Sequence, residues 1–338
     1  MNKTNRQWLL HSRPEGMVSE ANFLLAETPL PKPDLAAGEF LVRNTYFSFE
    51  PAMRGWMEDK PSYLPPVAIG EPMRSTAIGE IVQSNNPEFP EGSLVQGMFG
   101  WQEYAIGGDA SLFPANLLPA DVPPTMLLSI MGGTALTAYF GLLYVGELKE
   151  GDTVLVSGAA GATGSVVAQI AKIKGCKVVG IAGGDAKCSW LTDDVGIDHT
   201  IDYKSENMKQ RIGELCPEGV NVFFDNVGGD TLEAGIEHIA QFGRIVLCGA
   251  ISEYNDEQPR SGPNNLMNLV KFSVRMEGFI MFNYIDKIDE AYADLGNWLA
   301  EGKLLWKEDI QEGFENIPAT FLRLFSGSNE GKQLLKVI

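Results

Sequence analysis

Between a short run of β-branched and apolar residues, Thr153–Ser157, and a stretch with helical periodicity that opens near Ser165 stands the turn Ala159-Ala160-Gly161-Ala162-Thr163-Gly164. Few sequence features constrain a fold as much. A glycine at 161 lets a ligand approach the backbone, and one at 164 lets the helix pack closely on the strand. The helix start offers unpaired N–H groups and a partial positive charge. In this strand–turn–helix setting the pattern reads as a dinucleotide-binding fingerprint with Ala in the first glycine position, which commits its surroundings to a βαβ unit.

The flanking texture agrees. Over Ser165–Lys174 the residues Val166, Ile170 and Ile173 share one helical face, and Lys177–Ile181 follows as a buried strand. Asn221–Asp225 and Arg244–Cys248 are further apolar strands, and between them Thr231–Ile239 carries Leu232, Ile236 and Ile239 at helical spacing. Strands and helices that alternate in this way predict a doubly wound parallel sheet. Before about Pro124 the chain is instead rich in Pro and Gly, with β-type runs at Glu39–Tyr46 and Ala77–Ser84. Beyond Leu304, Trp306–Ile317 and Gln333–Ile338 regain that character. With 338 residues to divide, the expectation is two domains: 1–124 with 305–338, and 125–304.

Cofactor choice depends on the end of the second strand, where an acidic residue selects NAD by accepting from a ribose hydroxyl. Here stand Ile181, Ala182, Gly183 and Gly184, with Lys187 just beyond. A cation at 187 suits a 2′-phosphate, so NADPH is the expected cofactor. Asp185 lies close by, and Lys187 facing solvent is the plainer alternative. Tyr203 is a further hydroxyl donor or a packing residue. The strand ends Asp225-Asn226-Val227-Gly228-Gly229 and Cys248-Gly249-Ala250-Ile251 are expected to border the ligand crevice. Asn226 either holds the cofactor or caps the next helix.

Charge excludes several partners. The 44 acidic residues against 26 basic ones give a net charge of −18, which repels nucleic acid and anionic lipid alike. Residues Met1–Leu10 lack the apolar core of a signal peptide, and no long apolar run marks a membrane span, so a cytoplasmic protein is expected. Cys176, Cys188, Cys216 and Cys248 form no Cys-x-x-Cys pair and read as buried thiols. His11, His199 and His238 lack partners at ligand spacing, so no metal site is expected, and His238 reads as a helix-surface residue. No Ser-His-Asp pattern points to hydrolysis.

Gly132–Leu143, Gly151–Gly164, Phe224–Gly229 and Phe242–Asn255, with Glu50–Gly55, Met276–Phe279 and Gly327–Lys332, together resemble the zinc-independent medium-chain dehydrogenase/reductases of the leukotriene hydroxydehydrogenase, prostaglandin reductase and alkenal double-bond reductase family. The resemblance covers nearly the whole chain. Arg6–Leu10, Ser62-Tyr63 and Phe99–Tyr104 are most similar to bacterial curcumin-reductase-like members. The resemblance implies a GroES-like β-barrel catalytic domain beside a Rossmann domain, and a homodimer joined through Rossmann sheet edges near Phe272–Phe282. It also implies NADPH contacts from Ala162, Thr163, Gly164, Ser165, Lys187, Tyr203, Asn226, Cys248, Gly249, Ala250, Ile251, Ser252, Tyr254, Phe279, Ile280, Met281 and Asn329, beside Gly161 of the fingerprint. Glu50 and Ala52 depart from the Asp-Pro-Tyr-Met-Arg segment of similar proteins, and Gly132–Ala135 from a stretch where they often carry Pro.

The activity so implied is NADPH-dependent reduction of the carbon–carbon double bond of an α,β-unsaturated aldehyde or ketone. Hydride reaches the β-carbon and the resulting enolate is protonated. Tyr254 and the cofactor ribose hydroxyl, with Tyr63, are the expected donors to the enolate oxygen and relay the proton; cofactor packing is the alternative role for Tyr254, and packing the alternative role for Tyr63. A zinc-free quinone reductase and a non-catalytic NADPH-binding sensor are the rival readings.

Overall fold

The computed structural model describes residues 4–31, 34–108, 113–119, 122–258 and 260–337. In chain order its strands are β1 (Thr4–Leu10), β2 (Phe23–Pro29), β3 (Glu39–Ser48), β4 (Ala77–Ser84), β5 (Leu94–Gly97), β6 (Tyr104–Gly108), β7 (Asn116–Leu117), β8 (Thr153–Ser157), β9 (Lys177–Ala182), β10 (His199–Asp202), β11 (Val220–Asp225), β12 (Ile239–Leu247), β13 (Arg275–Gly278), β14 (Glu308–Glu312) and β15 (Lys332–Lys336). The chain divides into two compact units. One comprises Met1–Leu128, Glu308–Asn329 and Gln333–Ile338, the other Ser129–Lys307 and Glu330–Lys332. The division thus falls at Leu128 and Lys307 where the sequence reading has 124 and 304, and Glu330–Lys332 go with the second unit.

In the first unit β14, β15, β3, β4, β5 and β7 lie side by side in that order, β6 pairs with β3, and β1 and β2 form a separate antiparallel ribbon. Alternation along β3 puts Phe40 and Val42 inside, and an irregularity between Asn44 and Tyr46 brings Phe47 into the same core. They join a core centred on Trp101, whose ring lies 5.1 Å from Phe23, 5.7 Å from Phe49 and 5.6 Å from Phe321. Phe321 belongs to the helix Ile317–Ser326, which buries Ile317, Phe321 and Leu324 at spacings of four and three.

The second unit is a six-stranded sheet in the order β10-β9-β8-β11-β12-β13, every pair parallel. In sequence terms this is 3-2-1-4-5-6, the doubly wound dinucleotide-binding order. Strands buried on both faces must be apolar throughout, and Val154, Leu155 and Val156 of β8, with Val222, Phe223 and Phe224 of β11, meet that demand.

Several expectations shift. The helix after the glycine-rich turn runs Ala162–Ile173, three residues earlier than its periodicity suggests, because the turn itself supplies its first residues. The helix expected over Thr231–Ile239 occupies Gly229–Glu237, and Ile239 opens β12 by pairing with Val220. A buried isoleucine satisfies either period, so sequence alone misplaced it. His238 is less exposed than a helix-surface residue: it ends that helix half-buried, and among the described residues its buried Nε2 has no hydrogen-bond partner. Trp306–Ile317 is strand only over Glu308–Glu312, and Ile317 begins a helix. Ile338 lies outside the described residues.

Candidate cofactor and active site

The carboxyl ends of β8 and β11 are tied together by one buried carboxylate. Asp225, fully buried, accepts from Ser157 Oγ (2.6 Å), Val227 N (3.1 Å) and Gly228 N (3.0 Å). Ser157 Oγ in turn accepts from Asn226 N, and Asn226 Nδ2 donates to the Ser157 carbonyl. Burial holds the Asp225 carboxyl above its ordinary range, against the pull of these three donors. Asn226 does not cap the next helix, whose N-cap is Gly228 with no side-chain cap.

On this base the segment Cys248–Tyr254 is fastened to 225–229. Cys248 N and Gly249 N donate to the Asp225 carbonyl, Ile251 N to that of Asn226, and Ser252 N and Oγ to that of Val227. Glu253 Oε1 accepts from Gly229 N at 2.8 Å. Tyr254 folds back so that its hydroxyl accepts from Ala250 N at 3.2 Å. Burial, and then the nearby Asp225 charge, push the Cys248 thiol up to about 12.

The helix Ala162–Ile173 starts at Gly161 with no side-chain cap among the described residues, and the first N–H groups of a helix have no intrahelical acceptor. A Cβ on Gly161 would meet only the Gly158 carbonyl, at 3.2 Å, which leaves the loop open to a phosphate. Gly164 is different: a Cβ there would lie 2.9 Å from Ala159 Cα, so this position is required for helix–strand packing. Ser165 is buried behind it and donates its N–H to the Gly161 carbonyl. The donor set suits a dinucleotide pyrophosphate.

At the end of β9 no acidic side chain occupies Ile181–Gly184. The Tyr203 ring lies over Gly183, where a Cβ would come within 2.7 Å of it. Asp202 spends its oxygens on the backbone N–H groups of Gly184 and Lys204 and on Ser205 Oγ, which holds its pKa down and shapes the turn leading to Lys187. Lys187 sits half-buried on the short helix Asp185–Ser189. Phe279 packs edge-on against Phe224, with centroids 6.4 Å apart, and Ile280 precedes a 3-10 run that Met281 opens.

Two candidates belong to the first unit. Tyr63 is 45% exposed, and its hydroxyl accepts from Trp56 Nε1 at 3.0 Å. Asn329, half-buried, precedes the Glu330–Lys332 segment, in which Gly331 bridges to Gly161. Of the departures noted in the sequence, Glu50 accepts from Ser48 Oγ, and Ala52 packs on the first unit's core. Sequence reasoning missed Ser157, Asp202, Asp225 and Glu253 as organisers. Asp225 and Glu253 carried a signal, since each sits in a segment that the resemblance had singled out.

Residues 6–115 match the family described as the N-terminal domain of oxidoreductase, and residues 162–300 the one described as zinc-binding dehydrogenase. The chain is 38% identical to NADPH-dependent curcumin reductase of Escherichia coli, with 98% of this chain and 97% of that one covered. It is 39% identical to prostaglandin reductase 1 of Rattus norvegicus, with 98% of each covered. The chain belongs to the zinc-independent medium-chain dehydrogenase/reductase family. A solved member, CurA from Vibrio vulnificus in complex with NADPH, superposes with a TM-score of 0.92 at 39% identity, over 98% of this chain and 99% of that one. The family expected from the dispersed motifs is the one found. Among the described residues no three His, Cys, Asp or Glu gather so as to hold a metal ion, and no helix is long and apolar enough to cross a membrane.

Proposed function

We propose that this medium-chain dehydrogenase/reductase reduces the carbon–carbon double bond of α,β-unsaturated aldehydes and ketones with NADPH. The observation that carries the reading is the likeness, over 98% of the chain, to both curcumin reductase and prostaglandin reductase 1. Bound NADPH supplies the hydride. Gly161, Ala162, Thr163, Gly164 and Ser165 hold its pyrophosphate at the open helix start, and Lys187 and Tyr203 take the 2′-phosphate. Asn226, Cys248–Ser252, Tyr254, Phe279, Ile280, Met281 and Asn329 border the rest of the dinucleotide.

Tyr254 and Tyr63 donate to the substrate oxygen. Each phenol has its acceptor role met by an N–H, of Ala250 and of Trp56 respectively, which fixes the oxygen and orients the proton it can give. Such a fixed donor stabilises an enolate as it forms. Residues 1–124 and 305–338 serve as the catalytic domain and 125–304 as the NADP-binding one. The protein works as a homodimer in the cytoplasm, paired through the β13 edge, on small-molecule enones or alkenals. Its net charge of −18 disfavours nucleic acid and anionic membranes as partners.

The test is NADPH consumption with a trans-2-alkenal, a dienone such as curcumin, a quinone and a saturated aldehyde. Turnover of the alkenal or dienone is expected. Turnover of the quinone alone would move the protein to the quinone reductases, and tight binding of NADPH without turnover would favour a sensor.

A further inference from the structure

The helix Gly133–Phe140 runs on into a single wider turn, Gly141–Val145, in which Gly146 N donates to the Gly141 carbonyl at 2.8 Å. Such wide turns are rare, and they concentrate at functional sites. Phe140 and Tyr144 stand side by side here, with ring centroids 5.6 Å apart. Tyr144 donates its hydroxyl to Glu290 at 2.9 Å, and Tyr139 donates to Asp294 at 2.9 Å. This aromatic face is thereby pinned to the helix Ile288–Ala300.

What the face grips is the chain that leaves β13. Phe279 meets Gly141, where a Cβ would stand 2.9 Å from Phe279 Cε1 and 2.6 Å from Phe224 Cε2, so only a glycine admits both rings. Five residues on, Tyr284 stacks on Phe140 with centroids 5.2 Å apart and planes at 11°, and its ring lies 5.7 Å from that of Tyr144. Between the two grips Asn283 N donates to the Ile280 carbonyl at 3.0 Å. The segment Phe279–Tyr284 is thus held at both ends, by residues that all belong to the second unit.

Strand order tells which part of the cofactor this segment meets. The phosphate turn follows β8, and Lys187 and Tyr203 follow β9 and β10. An adenosine half laid on that side leaves the nicotinamide half to the ends of β11, β12 and β13. We infer that Tyr284 is a positioning residue for hydride transfer, whose stack on Phe140 fixes Phe279–Met281 against the nicotinamide. The inference rests on the reductase reading and on NADPH bordering Phe279–Met281. Without the stack, the segment is held by the Phe279 grip alone, and the nicotinamide loses its set distance to the β-carbon of the substrate. Cofactor affinity, which the phosphates at the other end supply, survives.

The test compares Tyr284→Ala and Tyr284→Phe with the wild type, using NADPH and the enone that the wild type turns over best. Tyr284→Ala should lower kcat about tenfold to a hundredfold, the scale of a small misplacement of the reactants. Its Ki for 2′,5′-ADP, which carries only the adenosine half, should stay within about threefold of wild type. Tyr284→Phe keeps the ring and should restore kcat. The nicotinamide fluorescence of bound NADPH should change in Tyr284→Ala and not in Tyr284→Phe. Unchanged kcat or unchanged fluorescence in Tyr284→Ala would overturn the inference, as would an equal loss in Tyr284→Phe or a parallel loss of 2′,5′-ADP binding. A wild type that binds NADPH but reduces no enone would overturn the reductase reading alone, and the fluorescence comparison would still decide what holds the nicotinamide. No binding of NADPH would overturn both.

Discussion

The hydroxyl of Tyr254 lies 3.2 Å from the backbone nitrogen of Ala250, four residues earlier in the same loop, and accepts its hydrogen. The loop thus positions its own phenol. Removal of the hydroxyl deletes a donor without changing the fold, because Ala250 N–H can turn to water. Tyr254→Phe should lower kcat on an enone by about tenfold to a thousandfold, the scale of losing one donor to a developing oxyanion. NADPH affinity, read by fluorescence titration, should stay within about threefold of wild type. A variant with unchanged kcat would sink the assignment.

The same loop explains why Gly249 is a glycine. A Cβ there would stand 2.8 Å from the Tyr254 hydroxyl and displace it. Gly249→Ala should therefore reduce kcat by about as much as Tyr254→Phe does, and the double variant should lose little more than either single one, since both remove one contact. Multiplicative losses in that cycle would show that Gly249 acts elsewhere.

How far this was legible depends on the range of the interactions. The β8–turn–helix unit could be read because its signals are local: a β-branched run, glycines at fixed offsets and a helical stripe within about 20 residues. The Ser157–Asp225 bond joins residues 68 apart, and the hydrogen bonds from Tyr139 and Tyr144 to Glu290 span 151 and 146 residues. No periodicity encodes such pairs. His238 was misjudged for a related reason. Its place at the helix end is local, but its burial comes from packing on Gly213, where a Cβ would lie 2.8 Å from the imidazole.

Lys187 carries the prediction on cofactor choice. Lys187→Ala should raise the Kd for NADPH about tenfold, with a smaller salt dependence, while NADH, which lacks the 2′-phosphate, should change by less than about threefold. Parallel losses for the two cofactors, measured by titration at two ionic strengths, would reduce Lys187 to a structural role.

Asp225 should prove structural in a way that asparagine cannot replace. Its oxygens receive Ser157 Oγ, Val227 N–H and Gly228 N–H, all donors. In Asp225→Asn the amide turns an N–H₂ toward at least one of them. A buried donor facing a donor costs about 1–3 kcal/mol, so the urea midpoint should fall with an unchanged slope. An unaltered midpoint would mean that the loop relaxes freely around the amide.

The raised thiols make the fold less stable in alkali. Burial pushes Cys248 up to about 12, and Cys176 and Cys216 up to about 11, while an unfolded thiol titrates near 8.5. Between those values the unfolded chain has released protons that the folded chain still holds, so stability is full below about pH 8.5 and declines as pH rises toward 11 and 12. Cys248→Ala removes one of these titrations. Its stability relative to wild type should therefore improve steadily from pH 9 to 11, as followed by the urea midpoint at each pH, whatever the packing loss that both share at pH 7. The same shifts predict that Cys176, Cys216 and Cys248 resist alkylation at pH 8, where almost none of each is thiolate. Rapid labelling of the buried Cys176 or Cys216 in the native protein, mapped by mass spectrometry, would contradict the burial on which these expectations rest.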